Sequence, residues 1–370
     1  MLKDLYGSSK EDPSPLCRLL RYIAFPMKEN LKGLPLEALE AKMIALGHSA
    51  YRGRQLFRWI NQVRESNFME MTDLSKDFRK ELTEKFVLPK LEVAEERPSG
   101  DGTVKYLVRL SDGSQVESVF IPMEDRNTLC VSTQVGCKMA CTFCATGYMK
   151  FGRNLEAWEI VDQLLSISFP DKITNVVFMG MGEPFDNYEE VIKALQILQH
   201  PMGPQIGKRH ITVSTVGITT RVQDFATANL GKLAISLHGT TDEQRGQIMP
   251  INKKFPLDQL MKACRELVFK GRDRVTFEYV LLEGINDSDE DARRLVKLVE
   301  GLPCKINLLA YNENPFIQLK RPPEERILAF QNILLQKHLT VTYRRSRGRD
   351  IAGACGQLHT EIQRRQATIH

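Results

Sequence analysis

Cys137-Lys138-Met139-Ala140-Cys141-Thr142-Phe143-Cys144 is the stretch on which the reading of the chain turns. Three cysteines separated by three and then two residues can point into one loop, where thiolates are soft ligands for iron or zinc. No fourth cysteine accompanies them. A structural zinc or a four-cysteine cluster has its coordination shell filled by protein, whereas three thiolates on a four-iron cluster leave one iron open to a small molecule. An open iron implies chemistry. Taken alone, the triplet also fits a zinc loop or buried free thiols.

Just ahead of the triplet, Leu129-Cys130-Val131-Ser132 reads as a strand running into Val135-Gly136, and a ligand-bearing loop after a strand is where a β/α barrel keeps its active site. Further strands are predicted at 174–179, 211–214, 233–237, 275–282, 305–309 and 341–344. Helices are predicted near 155–167, 188–198, 257–269, 289–300 and 323–337. This alternation describes an α/β fold, an incomplete parallel (β/α)6 barrel over about 126–357. Residues 91–125 alternate apolar and polar, with turn signals at Ser99-Gly100-Asp101-Gly102 and Ser111-Asp112-Gly113, and predict a β-hairpin or meander. Residues 31–90 predict a small helical module: Leu36, Leu39, Met43 and Ile44 share one face, a second helix starts near Arg52, and a third opens at Leu74. The polar lead, 1–30, has little to bury and is expected to be loosely held; 358–370 form a tail.

A chain of 370 residues, 42% of them hydrophobic, can bury a substantial core. No apolar run approaches the roughly 20 residues that span a bilayer, and the start lacks a secretory core, so a cytoplasmic location is the default. Eight cysteines, three clustered and the others scattered, suit metal and redox work better than a disulfide framework. A formal net charge of +5 permits an RNA partner without establishing one.

The spacing of Cys137, Cys141 and Cys144 resembles that of radical S-adenosylmethionine enzymes. The wider set, with Met179-Gly180-Met181-Gly182-Glu183-Pro184 and Ala354-Cys355-Gly356-Gln357-Leu358, resembles the bacterial adenine carbon-2 methyltransferases of 23S ribosomal RNA and transfer RNA. The resemblance implies a [4Fe-4S] cluster on the three cysteines and two molecules of S-adenosylmethionine per turnover. Gly182, Glu183, Ser214, Ser236, Leu237, His238 and Asn312 match cofactor-binding positions. The two glycines are expected to let backbone approach a ligand. Cys355 matches the cysteine that carries the methyl group, Cys130 the one that resolves the covalent adduct through a transient disulfide, and Glu117 a proton acceptor; the sequence leaves open whether Glu117 or Cys130 takes the carbon-2 proton. The resemblance also implies 23S rRNA and tRNA as partners, an RNA-handling role for the helical module, an electron donor such as flavodoxin, and a monomeric chain.

Arg344-Arg345-Ser346-Arg347-Gly348-Arg349 places four arginines just before Cys355, suited to phosphates or else to a solvated loop. Arg153-Asn154-Leu155 and Pro250-Ile251-Asn252-Lys253-Lys254 match family segments with no readable role. Tyr311-Asn312-Glu313-Asn314-Pro315 departs from the family pattern after Asn312. Cys17, Cys264 and Cys304 read as small buried thiols. Two rivals stand beside this reading: the related carbon-8 adenine methyltransferases, and an iron–sulfur redox or sensor protein, which needs neither Cys355 nor the Gly182-Glu183 segment.

Overall fold

The computed structural model describes residues 28–268, 273–315 and 317–360. Cys17, most of the lead segment and most of the tail lie outside the described residues. Near the amino terminus, β1 (Glu29–Asn30) precedes helices α1 (Leu36–Ala45), α2 (Ala50–Arg58) and α3 (Lys76–Lys85), and β2 (Phe86–Val87) returns to pair in parallel with β1. The helices form because Leu39 and Met43, Gly53 with Leu56 and Phe57, and Phe78 and Leu82 recur at helical spacing and are buried. Ser75 caps α3 by accepting from the Phe78 amide. Gly53 lets α2 approach α1 closely, since a Cβ there would lie 2.7 Å from the Glu40 Cα.

This module shares one hydrophobic core with the rest of the chain. Lys32 Nζ meets Asp162 Oδ1 at 2.6 Å, both side chains buried, and the other Asp162 oxygen accepts from the Leu91 amide at 2.9 Å. The junction is therefore a satisfied buried pair.

Strands β3 (Glu92–Pro98), β4 (Val104–Arg109) and β5 (Gln115–Met123) form an antiparallel meander, with Gly102 and Gly113 supplying the positive φ of its turns. The meander continues the main sheet: β5 pairs antiparallel with β6 (Arg126–Cys130), from which parallel strands follow in chain order. They are β7 (Asn175–Phe178), β8 (Ile211–Thr215), β9 (Lys232–Ser236), β10 (Val275–Leu281), β11 (Cys304–Ala310) and β12 (Val341–Arg344). Between them run α4 (Ala157–Leu165), α5 (Tyr188–Gln199), α6 (Thr219–Ala228), α7 (Asp242–Ile248), α8 (Leu257–Arg265), α9 (Asp289–Val299) and α10 (Glu324–Leu335). Six strand-and-helix units and a last strand make the expected incomplete barrel. Two helices, α6 and α7, escaped the sequence reading: α6 opens on two β-branched threonines, and α7 is short and polar.

Register separates the two faces of this sheet. Outward, Val176, Phe178, Ile211, Val213, Ile235, Phe277 and Leu308 are buried in the core with helix residues such as Leu195, Leu260 and Phe330. Inward, Cys130, Val177, Thr212 and Lys232 stand in one row, Ser214, Ala234, Thr276 and Lys305 in the next, then Ser236, Glu278, Asn307 and Thr342. A closed barrel packs its interior with branched apolar side chains. Here polar and charged side chains line a cavity of about 680 Å³.

The sheet stays open between β12 and the meander, and residues 345–359 cross that gap. Arg347 donates to Pro122 O and, at 2.6 Å, to Asp101 O; the Gly348 amide donates to Asp101 Oδ2 at 2.9 Å; Ser99 Oγ donates to Asp350 Oδ1 at 2.6 Å. Arg347 thus serves the seam. Of the four clustered arginines, Arg344 is drawn inward and Arg345 and Arg349 are exposed.

Candidate active site at the carboxyl end of the strands

The loop after β6 carries the three cysteines. It is pinned from three sides: the Thr142 amide donates to Ile248 O at 3.0 Å, the Ala145 amide to Gly356 O at 2.7 Å, and the Val135 amide to Arg153 O at 2.9 Å. Cys137, Cys141 and Cys144 pack against an apolar cluster that includes Met139, Met249, Leu282 and Tyr311. Burial, followed by like-charge interaction among the thiols, pushes Cys141 well up, and burial first pushes Cys137 to about 12 and raises Cys144. Such thiols keep their protons until a metal replaces them. Among the described residues, no three His, Cys, Asp or Glu side chains are gathered for a single metal ion.

Glu183 follows β7 and is buried, its carboxylate accepting the Phe185 and Val216 amides at 2.9 Å each. Burial outweighs these bonds and lifts its pKa to about 7. A buried carboxylate in this state favours a cation beside it, such as the ammonium of an amino acid. The flanking glycines have a packing cause of their own: a Cβ on Gly182 would lie 2.6 Å from the Gln134 Cβ, and one on Gly180 2.6 Å from Val131 O, so this segment lies tight against the loop after β6.

Ser214 and Ser236 face inward near the ends of β8 and β9. Leu237 is fully buried, its amide donating to Glu278 O at 3.0 Å. His238 adopts φ 55°, and its Nδ1 accepts the Val280 amide at 3.1 Å. Burial, then Arg245, lowers its pKa to about 3, so the ring is neutral. Its edge meets Phe143 of the cysteine loop at a centroid distance of 4.8 Å. Asn312 is buried; its Nδ2 donates to Cys355 O at 3.1 Å while its Oδ1 lacks a partner. An orphaned acceptor and an unneutralised carboxylate on one rim fit a ligand that carries N–H donors and an ammonium.

Cys130, buried at the end of β6, and the exposed Cys355 line the same inner cavity, and both thiols are free. Burial, then the neighbouring Cys355, pushes Cys130 to about 12, with the Arg344 cation opposing. Glu117 is not among the residues lining that cavity: its carboxylate meets Lys105 Nζ at 3.0 Å and accepts the His359 amide at 2.8 Å, beneath the segment bearing Cys355.

Arg245 was missed by sequence reasoning. Fully buried, it donates to Asn252 Oδ1 at 2.7 Å, Val216 O at 2.6 Å and Leu237 O at 3.2 Å, tying together the ends of β8 and β9. Its neighbour Asn252 gives the Pro250–Lys253 turn a purpose. Arg153 likewise pairs with Asp112 and, by both terminal nitrogens, with Glu159, while Asn154 holds Gln134. A mid-helix Arg followed seven residues later by an Asn was the available signal.

Fold and thiol loop define a radical S-adenosylmethionine enzyme, and the model of that superfamily matches residues 131–296. The ribosomal RNA large subunit methyltransferase N-terminal domain matches residues 29–88. Dual-specificity RNA methyltransferase RlmN of Geobacter sulfurreducens is 48% identical, covering 90% of this chain and 92% of its own. The protein of the same name from Desulfotalea psychrophila is 45% identical over 92% and 97%. A crystal structure of a radical SAM methyltransferase from Sphaerobacter thermophilus superposes with a TM-score of 0.84 at 41% identity, covering 90% of this chain and 99% of that one. The chain belongs to the dual-specificity RNA methyltransferase RlmN family.

Proposed function

We propose that this chain methylates carbon 2 of adenine in 23S ribosomal RNA and in transfer RNA. What supports the reading most is the pair of remote thiols, Cys130 and Cys355, opening on one cavity next to the three-cysteine loop. An iron–sulfur protein that only carries electrons on its cluster does not need that pair. Carbon 2 lies between two ring nitrogens and is too electron-poor to attack a sulfonium methyl directly, so a carrier must intervene.

Cys137, Cys141 and Cys144 would hold a [4Fe-4S] cluster, and Gly182, Glu183, Ser214, Ser236, Leu237, His238 and Asn312 would hold S-adenosylmethionine. When bound, the two supply a methyl group and the means to abstract a hydrogen atom from an unactivated carbon. Cys355 Sγ carries the methyl carbon to the base. Cys130 Sγ, as the thiolate, then attacks Cys355 Sγ: the S–S bond forms as the bond from Cys355 Sγ to the bridging carbon breaks, and the electron pair left on that carbon takes up a proton to complete the methyl group. The resulting disulfide, for which Cα atoms must approach to about 4.4–6.8 Å, is reopened by an external thiol reductant. Glu117 serves as proton acceptor once the 352–359 segment shifts, because the His359 amide and Lys105 now occupy its oxygens. Residues 31–90 would help to hold the RNA and 126–357 carry the chemistry, with 91–125 joining them. A flavodoxin-like electron donor, a monomeric state and a cytoplasmic location complete the reading. Among the described residues, no helix is long and apolar enough to cross a membrane.

The test is to purify each variant with cellular RNA on denaturing gels, alongside mass analysis of the RNA of a deletion strain. Cys355→Ala should abolish methylation, and Cys130→Ala should accumulate RNA joined covalently at Cys355. Loss of 8-methyladenosine rather than 2-methyladenosine in the deletion strain would replace carbon 2 by carbon 8.

A further inference from the structure

Tyr311 is the first residue past β11, and its hydroxyl is idle. The residue is 2% exposed, and among the described residues its hydroxyl oxygen finds no hydrogen-bond partner. A buried phenol in that state has given up the hydration of its O–H for nothing, and in native proteins such a group has a reason. The chain around it is not free to swing out to water. The Tyr311 amide donates to Leu281 O at 3.3 Å, which extends the β10–β11 pairing by one step. The next two residues are held by the segment bearing Cys355: Asn312 Nδ2 donates to Cys355 O at 3.1 Å, and Glu313 O accepts from Gln357 Nε2 at 2.9 Å.

The ring lies with the cysteine loop. Tyr311 shares one apolar cluster with Met139, Met249, Leu282 and Cys141, and Cys137 and Cys144 pack against that same cluster. Burial first, then the neighbouring Tyr148, Cys144 and Glu313, raises its pKa to about 12, so the hydroxyl keeps its proton and stays a donor. Tyr148 does not occupy it, because the Tyr148 hydroxyl donates to Thr142 O at 3.0 Å. A protonated thiol is a weak acceptor, whereas an anionic sulfur takes a charge-assisted bond about twice as strong as a neutral one. A donor placed for a metal-bound sulfur therefore gains little from the same sulfur as a thiol.

We propose that, on the [4Fe-4S] reading above and whatever base is methylated, the Tyr311 hydroxyl donates a hydrogen bond to a sulfur on the Cys144 side of the cluster and so raises the potential at which the cluster accepts its electron. Reduction adds one electron, and with it negative charge, to the cluster. A donor aimed at a sulfur stabilises the reduced form more than the oxidised one, which is how hydrogen bonds to sulfur set such potentials. S-adenosylmethionine is the competing partner for the hydroxyl. The place of Tyr311 in the cluster of the cysteine loop, with Cys144 among its electrostatic neighbours, favours the sulfur.

The experiment uses the full-length chain reconstituted anaerobically with iron and sulfide, titrated with dithionite with and without S-adenosylmethionine, and read by visible absorbance and by the electron paramagnetic resonance of the reduced cluster. At the wild-type midpoint, Tyr311→Phe should show a reduced-to-oxidised ratio about tenfold lower, a midpoint about 59 mV more negative for a one-electron couple. Tyr148→Phe, which drops the bond to Thr142 O from the same loop, should leave the midpoint in place. Fe–S stretching bands in resonance Raman should shift when the wild type is moved into D2O and should shift less in Tyr311→Phe, a signature that altered packing alone would not give. The substitution removes one unpartnered oxygen and keeps the ring, so without iron the variant should unfold at the wild-type midpoint or above it. An unchanged potential in Tyr311→Phe, with wild type and variant both holding their irons, would overturn the proposal and leave the [4Fe-4S] reading intact. So would a potential that differs only when S-adenosylmethionine is bound, which would assign the hydroxyl to the cofactor. Wild-type protein that took up zinc and showed no visible absorbance would end the iron–sulfur reading and this inference with it.

Discussion

Lys105 and Glu117, on neighbouring antiparallel strands and both about 95% buried, form an ion pair at 3.0 Å that holds the two ends of the Cys355 segment. Lys105 also donates to Ala352 O at 3.3 Å, and Glu117 accepts from the His359 amide at 2.8 Å. The pair grips the chain three residues before and four after the thiol. Removing one partner strands a buried charge. Lys105→Met should therefore cost about 3–5 kcal/mol in denaturant unfolding, and Lys105→Met/Glu117→Leu should recover most of it. A single variant as stable as wild type would show that the pair is solvated in solution.

Glu183 makes a pH prediction. Its folded pKa of about 7 exceeds the ordinary 4.5, so the folded cofactor-free protein binds the proton more tightly than the unfolded chain. Its contribution to stability is full below pH 4.5 and is lost as pH rises to about 7, a change on the order of 3 kcal/mol. His238, lowered to about 3, acts in the opposite sense, losing stability as pH falls below 6.5. The readout is therefore the difference between wild type and Glu183→Gln, which should gain relative stability across pH 4.5–7. Parallel pH profiles would refute the assignment.

Each of Cys137→Ala, Cys141→Ala and Cys144→Ala should leave the anaerobically reconstituted protein without its roughly four irons and its visible absorbance, because three thiolates supply every protein ligand. Tight zinc and no iron in the wild type would return the loop to a structural role.

Arg245→Lys keeps the charge and loses the fork that reaches Val216 O, Leu237 O and Asn252. It should destabilise the protein by about 1.5–3 kcal/mol and raise KM for S-adenosylmethionine more than it lowers kcat, with iron retained. Unchanged KM would confine Arg245 to folding.

The cysteine loop, the strand series and the Glu183 segment were legible because each is local: ligand spacing, period-two alternation, a turn after a strand. Lys105, Arg245 and the lysines of the inner cavity were not. Lys105 meets Ala352 across 247 positions, and Lys232 and Lys305 become neighbours of one cavity only when the strands of the barrel align. The glycines at 180 and 182 also have a packing cause that the sequence did not show, a close approach to residues 131–134, nearly fifty positions earlier. The arginines at 344–349 show the same limit: one stretch of like residues divides into Arg344 on the lumen, Arg347 stitched to Asp101, and the exposed Arg345 and Arg349, of which Arg345 still borders the lumen and faces Glu324 at 3.6 Å.

Because the gap in the barrel is spanned by a tethered crossing instead of a paired strand, Cys355 belongs to a part of the molecule held by separate tethers, to Ser99, Asp101, Pro122, Lys105, Glu117, Asn312 and Ala145, and not by a strand ladder. Sub-global openings of such segments cost far less than global unfolding. On warming, catalysis should then fade several degrees before the sheet melts, with amides of 345–359 exchanging early and those of β8 to β10 surviving to the end. The enzyme's working limit would be set by its seam.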